Sequence, residues 1–384
     1  MVLYEDNKAK YDAVSKDLFR LVQRDEKIHD VEFKTKPIGF FMDVWLRFVK
    51  NKASVIAAVI ILIISFFAVF GPGMNEYTYD EQHTELTNMP PKVPFIAKMN
   101  LGFFDGGYTM ENRKYDNLND PEKYPEGCIL EVINPRLVNG ERIVDVVVDY
   151  YKYKGLSDEQ CFWFGSDYLG RDIWTRMWRG ARVSLIIAVV SVCCNVFIGV
   201  VYGSISGHYG GKVDMVMMRI TEIINAFPRI VVVTLFIMVF GTGMFSIIMS
   251  LVIKDWVSTA RMVRSQFYRF KGREYVLAAR TLGVKDMALI FRHILPNSIG
   301  PIITRAMIAI PGAIFTESFL AYIGLGIRAP ESSIGVLLSQ GQKVMQQYPN
   351  QVFFPAVVIS LLMIAFNMLS NGLRDAFDPT QRGA

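Results

Sequence analysis

SVIAAVIILIISFFAVF, residues Ser54 to Phe70, decides the class of fold. It carries no charge and comes close to the roughly 20 apolar residues a helix needs to cross a hydrocarbon core of about 30 Å. About fifty charged and polar residues precede it and no small-residue cleavage site follows, so it reads as a retained anchor rather than a signal peptide. Of the 384 residues, 52% are hydrophobic, which is too apolar for an ordinary globular surface.

Further runs extend the pattern in both length and number. Val183 to Ser206, Met244 to Val263, Ile299 to Ile323 and Phe353 to Leu369 are long enough to span if modest tilt is allowed. Arg229 to Phe240 is too short alone and must extend back through Met215 to Ala226, with Arg219 and Glu222 near the cytosolic end and a kink at Pro228. The expectation is an all-α polytopic membrane protein with six transmembrane helices and a small β-containing extracellular insertion. Its parts are a cytosolic N-terminal segment (1–53), the first span (54–70), the insertion (71–164), and a core (165–384) holding the other five spans and a cytosolic segment, 274–297.

Lysine and arginine near the span ends set the orientation. Arg47, Lys50 and Lys52 stand directly before the first span and place the N-terminus in the cytosol. Between the fourth and fifth spans, eight basic residues from Arg261 to Arg292 face only Glu274 and Asp286, and four spans from a cytosolic start return the chain to that side. Six spans put the C-terminus there too. Arg171, Arg176, Arg179 and Arg182 run against this, since they precede the second span on the outer side; an interfacial segment holding them at the headgroups would reconcile the two. The net charge of +5 follows the membrane rather than a continuous basic patch, which argues against nucleic acid as a partner.

The insertion is rich in Asp, Glu and Pro. Ile143 to Tyr151 is β-branched and aromatic, and Asn139-Gly140 before it is the dipeptide a type I′ hairpin turn prefers, with Ile129 to Ile133 or Pro135 to Val138 as the partner strand. In the first forty residues Tyr11, Val14, Leu18, Leu21 and Val22 recur at helical spacing, as in an amphipathic docking helix or a loosely folded cytosolic tail. Cys193 and Cys194 lie in an apolar run, and Cys128 and Cys161 lack metal-ligand spacing, although a disulfide between them is open if their segment is extracellular.

Glu274 to Asn297 reads EYVLAARTLGVKDMALIFRHILPN. A helix from Glu274 to Leu282, a stop at Gly283 and a second helical turn before Pro296 make a protruding knob, with Ala278 and Ala279 letting a partner approach closely. The alternative is an ordinary basic loop. This segment resembles the coupling loop of ABC importer permeases, whose pattern is Glu-Ala-Ala, three residues, Gly, nine residues, Ile, any residue, Leu-Pro. Ala278, Ala279, Gly283, Leu295 and Pro296 match; Leu277 stands at the pattern's Glu and His293 at its Ile. Both departures are shared by the dipeptide and oligopeptide branch, which typically reads EYVLAARALG and FRHILPN, so Glu274 is carried over as well.

Other segments resemble the same branch from about Trp45 to Asp378: WLRFVKNKA at Trp45 to Ala53, FGSDYLGRDIWTRMWRGARVSL at Phe164 to Leu185, Gly207 to Pro228, Thr316 to Gly326, and Gly372 to Pro379. The resemblance is to permeases of the OppC type, and the long tail and acidic insertion are more like Gram-positive versions. It implies a multi-pass protein of a bacterial plasma membrane that imports oligopeptides or dipeptides. The implied partners are a second homologous permease, two cytosolic ATP-binding subunits that bind ATP and Mg, an extracellular peptide-binding protein, the peptide and membrane lipid. The same branch includes nickel or metal-chelate permeases; nothing here resembles a metal site.

Ionisable residues inside spans are costly and mark a path, a partner or a relay. Lys254 and Asp255 lie near the middle of the fourth span and Glu317 in the outer part of the fifth, where the resembled family is acidic. Neighbours on a helix point about 100° apart, so Lys254 and Asp255 cannot both face one cavity squarely. Each of the three has a structural reading beside the translocation-path one. No GxxxxGK[ST], HExxH or GxSxG is present, so the expectation is a transport subunit that is not an enzyme, has no ATPase site and no cofactor or metal of its own. An ion-coupled secondary transporter, or a membrane-bound enzyme or receptor using the insertion, are the rival classes.

Overall fold

The computed structural model describes residues 39–97, 104–157 and 160–377. The proposed N-terminal docking helix around Tyr11 to Val22 lies outside them. The chain divides into two units, Met1–Asp43 and Val44–Ala384; of the first only residues 39–43 are described.

Ten helices carry the architecture: α1 (Phe40–Lys50), α2 (Lys52–Phe70), α3 (Ile173–Tyr209), α4 (Gly211–Ala226), α5 (Arg229–Phe240), α6 (Met244–Phe270), α7 (Glu274–Thr281), α8 (Ile299–Leu320), α9 (Ile334–Gln342) and α10 (Asn350–Phe377). Asn51 starts α2, its side-chain oxygen accepting from the N–H groups of Ala53 and Ser54 at 3.1 and 3.3 Å. The buried face of α2 is narrow and mostly small, Ser54, Ala57, Ile64 and Ala68, while Ile56, Leu62, Ile63 and Phe66 are exposed, as on a helix bathed in lipid. The main core joins α2, α3, α8, α9 and α10 through Met177, Trp178, Ile314, Ile334, Phe354 and Leu362.

Among the described residues, four helical stretches are long and apolar enough to cross a membrane: 52–73, 173–209, 286–325 and 350–377. A fifth span results if α4 and α5 are one broken crossing, bent by 80°. The bend falls where expected, because Phe227 precedes Pro228 and is held extended at φ −67° and ψ 132°. The expected fourth span, α6, is not among them: Lys254, Asp255, Arg261 and Arg264 lower its apolar character.

Helix α3 starts at Ile173, not Val183, and its 37 residues are about 55 Å long, well beyond a bilayer core. Arg176, Arg179 and Arg182, three of the arginines that opposed the orientation, lie in its first turns, and Arg171 stands just before it. Arg171 and Arg176 both bond Asp167, Arg179 meets Glu331 at 3.1 Å, and Arg182 donates to the carbonyls of Ala68 and Val69 at 2.7 and 2.6 Å. They are tied into the fold rather than left as free cations. Trp163, Trp174 and Trp178, three of the five tryptophans, cluster with Phe67 and Phe164 beside them, as in an interfacial aromatic belt.

The insertion holds a three-stranded antiparallel sheet, β1 (Gly107–Lys114), β2 (Ile129–Val138) and β3 (Glu141–Asp149), in the order β1-β3-β2. Val138 pairs with Glu141 across the two-residue turn, whose Asn139 and Gly140 have φ of 51° and 83°. The two candidate partner stretches are one strand, interrupted by a bulge between Ile133 and Arg136. Strand β1 was not foreseen. Cys128 and Cys161 are both buried and are not joined to each other, so the disulfide left open by the sequence is not formed. The insertion is fastened to α10: Phe164 stacks on Phe354 with ring centroids 3.9 Å apart, Asn350 donates to the Phe164 carbonyl at 3.0 Å, and Gln351 donates to Asn88 at 2.8 Å.

Candidate functional site

Two places combine chemistry with accessibility: the knob between α6 and α8, and a cavity inside the helical core.

The knob is built by local rules. Helix α7 ends with Gly283 at φ +81°, the Gly283 N–H bonding the Arg280 carbonyl at 3.0 Å and the Val284 N–H reaching the Ala279 carbonyl at 3.1 Å. These two bonds together make a Schellman stop, which needs a left-handed residue and so favours glycine. A second turn, Asp286–Ala288, runs on through a π-helical stretch, Leu289–Ile294, and a 3-10 turn, Leu295–Ser298, into α8. The widened turn lies where Pro296, lacking an N–H, would interrupt a regular helix. Val276, Ala279, Leu289, Ile290 and Ile294 anchor the knob against Val263 and Phe267 of α6. His208, in the last turn of α3, lies 3.2 Å from Asp286.

Of the residues singled out in the sequence, Glu274, Ala278, Gly283 and Pro296 are exposed, Leu295 is half-buried and Ala279 is buried. Beside them the knob exposes Leu277, Leu282, Met287 and Phe291, with Leu282 84% exposed. Of these four the sequence draws attention only to Leu277, and only as a departure from the pattern. Their signal is four apolar side chains outside the buried set of a basic segment.

The cavity, of about 280 Å³, opens between α3, α6 and α8 beside the start of α5. Asp255 lines it and is held by the Arg229 guanidinium through two bonds of 3.1 and 2.6 Å. Lys254 turns away and donates to the Phe227 carbonyl at the α4–α5 break, a division the 100° step between neighbours requires. Arg305, also on the wall, donates to the Ser258 hydroxyl at 2.8 Å. Glu317 is not on this wall. It is fully buried, accepts from Ser184 at 2.9 Å and Ser318 at 3.4 Å, and sits where α3, α8 and α9 come together.

Beside the cavity, α3 and α6 pack closely. Gly199, Gly203 and Gly207, spaced four apart on α3, lie against α6: a Cβ at Gly199 would come within 2.6 Å of the Thr259 Cβ, one at Gly203 would overlap the Ala260 carbonyl, and one at Gly207 would come within 2.5 Å of the Phe267 Cβ. At the end of this seam Asp214 of α4 accepts from Arg264 at 2.5 Å and Tyr268 at 3.0 Å, and from Ser206. Between β1 and the residues joining α9 to α10 lies a larger groove, about 820 Å³, lined by Tyr108, Glu111, Arg113 and Tyr348 among others.

Residues 199–383, which include the knob and most of the cavity wall, match the family described as binding-protein-dependent transport system inner membrane component. Residues 39–91 match the N-terminal TM domain of oligopeptide transport permease C. The chain is 35% identical to the oligopeptide transport system permease protein OppC of Bacillus subtilis, over 90% of this chain and 92% of that one. It is 33% identical to the dipeptide transport system permease protein DppC of the same organism, over 94% and 92%. With the DppC protein of Lactococcus lactis it shares 36% identity over 89% and 91%.

Proposed function

Because this chain belongs to the inner membrane components of binding-protein-dependent transport systems, within their oligopeptide and dipeptide permeases, we infer that it is the permease subunit of an ABC importer of peptides. It is a multi-pass protein of the bacterial plasma membrane. We take α6 as the fourth of six spans and α4–α5 as a broken third, which leaves both termini and the knob in the cytosol and the insertion outside. A second, homologous permease completes the path; two cytosolic ATP-binding subunits carry ATP and Mg and supply the energy, since this chain provides no ATPase site of its own; an extracellular binding protein delivers the peptide.

The observation that carries this reading is the knob, a rigidly stopped helix that presents Leu277, Leu282, Met287 and Phe291 while its other face is locked to α6. Closure of the ATP-binding subunits would push on those side chains. The displacement passes through Val276, Leu289 and Ile290 into α6, and across the glycine seam into α3, so that the cavity walls move as packed bodies. The insertion, and the groove beside β1, form the surface for the binding protein. Glu141, exposed at the hairpin, is suited to that contact; Asp145 is not, being buried and held below the usual carboxylate range by the Asn112 N–H, the Asn134 amide and Arg136.

Replacing Gly283 with Val tests the knob. Nothing lies within 4 Å of a Cβ there, so the added carbon meets open space and the left-handed backbone carries the penalty. Normal membrane insertion, loss of the ATP-binding subunits on co-purification and loss of peptide uptake are expected. Unchanged co-purification and uptake would refute the coupling role.

A further inference from the structure

The cavity between α3, α6 and α8 has a charge that no carboxylate among the described residues balances. Arg229 is matched by Asp255. Arg305 has a single neutral partner, the Ser258 hydroxyl, and among the described residues no carboxylate. A guanidinium on a helix inside the membrane is expensive and persists where it meets a partner or a substrate. A second group on the same wall is also unsatisfied: Asn195 is 6% exposed, and its side-chain oxygen has no hydrogen-bond partner. One cation without an anion and one buried acceptor without a donor call for a ligand that brings both, a negative group and an N–H close to it.

We propose that this cavity receives the C-terminal end of the transported peptide, with the terminal carboxylate on Arg305 and the last amide N–H on the Asn195 oxygen. This rests on the reading of the chain as a peptide permease and names the part of the substrate it recognises. Every linear peptide with a free terminus other than one ending in proline carries that pair of groups, so the site serves a carrier of many sequences. Its size agrees: about 280 Å³ is at or below the small end of the roughly 300–1,000 Å³ of ligand pockets, enough for the end of a chain and too little for a whole oligopeptide. Arginine suits the task better than lysine, because its planar fork meets both carboxylate oxygens. Gly312 and Ala309 on the same wall leave room for the terminal residue's side chain.

The test uses the complete importer in proteoliposomes, with native cysteines removed and Gly312→Cys as a reporter in the cavity, where an added side chain meets nothing within 4 Å. A library of short peptides is supplied as free acids and as C-terminal amides. Free acids are expected to slow thiol labelling severalfold and amides to leave it unchanged, and R305Q is expected to abolish the protection while R305K keeps part of it. Uptake of the acids should fall roughly tenfold in R305Q, the scale of a lost charge-assisted hydrogen bond. Equal protection by acids and amides, as an ion pair from Arg305 to the second permease would give, overturns the proposal, and so does protection that persists in R305Q. No protection in an importer that still takes up peptide overturns it alone; an importer that takes up no peptide of either kind overturns the functional reading and this proposal with it.

Discussion

Toward α3, helix α6 presents a face against which glycines lie so close that a single added carbon has no room; toward α5 and α8 the same helix leaves an open cavity walled by charges. The difference follows from what drives packing in lipid. Helices there gain little from apolar burial against each other, so close approach depends on small side chains, and Gly199, Gly203 and Gly207 supply it. A polar side chain must be satisfied across a gap or wait for a ligand, and Arg229, Asp255 and Arg305 stand where a gap exists. One face binds two helices into a packed pair, and the other leaves open space between helices.

The largest effect should come from closing the seam's only tolerance. Gly203→Leu forces a branched side chain into the Ala260 backbone, an overpacking cost of roughly 3 kcal/mol or more, and the yield of monodisperse protein in detergent should collapse. Normal yield would mean the two helices are not in close contact. Next is Asp214→Asn, which removes the carboxylate that holds Arg264, Tyr268 and Ser206 at the end of the seam. With the guanidinium about a third exposed, the loss is set at about 2 kcal/mol, visible as a lower thermal midpoint.

On the open face the balance shifts from stability to transport. Asp255→Asn should cost the fold only about 1 kcal/mol, because both partners are about a third exposed, yet it leaves Arg229 unmatched in the cavity and should depress peptide uptake much more than it lowers the thermal midpoint. A drop in stability as large as that of Asp214→Asn would erase the distinction between the faces. The smallest effect is expected from Gly312→Ala: with open space around its Cβ, the change should leave stability where it is or raise it by less than about 1 kcal/mol through helix propensity, with at most a small rise in the midpoint. The same substitution at Gly203 should be plainly destabilising.

Features governed by neighbours in sequence were legible without a structure. The first span, the Asn139-Gly140 turn, the break at Pro228 and the stop at Gly283 each follow from a few adjacent residues, and each stands where those residues place it. Features that need a second element were not. The spacing of Gly199, Gly203 and Gly207 is visible in the sequence, but nothing in it says that Thr259, Ala260 and Phe267 lie opposite. Arg179 runs against the expected orientation in the sequence, where nothing points to its partner Glu331, 152 residues away. Nothing in the sequence marks Asp145 as buried, because its partners Asn112 and Asn134 are turned onto it by bulges in both flanking strands. Strand β1, GYTMENRK, lacks the alternation that marks a strand and is recruited by pairing with β3.

Helix α3 joins ends that belong to different parts of the machine. At one, Asp172 bonds the Thr175 N–H and the Asn75 amide beside the insertion; at the other, His208 stands against Asp286 of the knob. Between them no proline interrupts the helix and the glycines are gripped by α6. Such a shaft transmits rotation as well as displacement, and what it fixes is phase. A single residue inserted anywhere along it would turn one end by about 100° relative to the other while lengthening it by only about 1.5 Å. The two ends would still reach their neighbours, but each would offer them the wrong side.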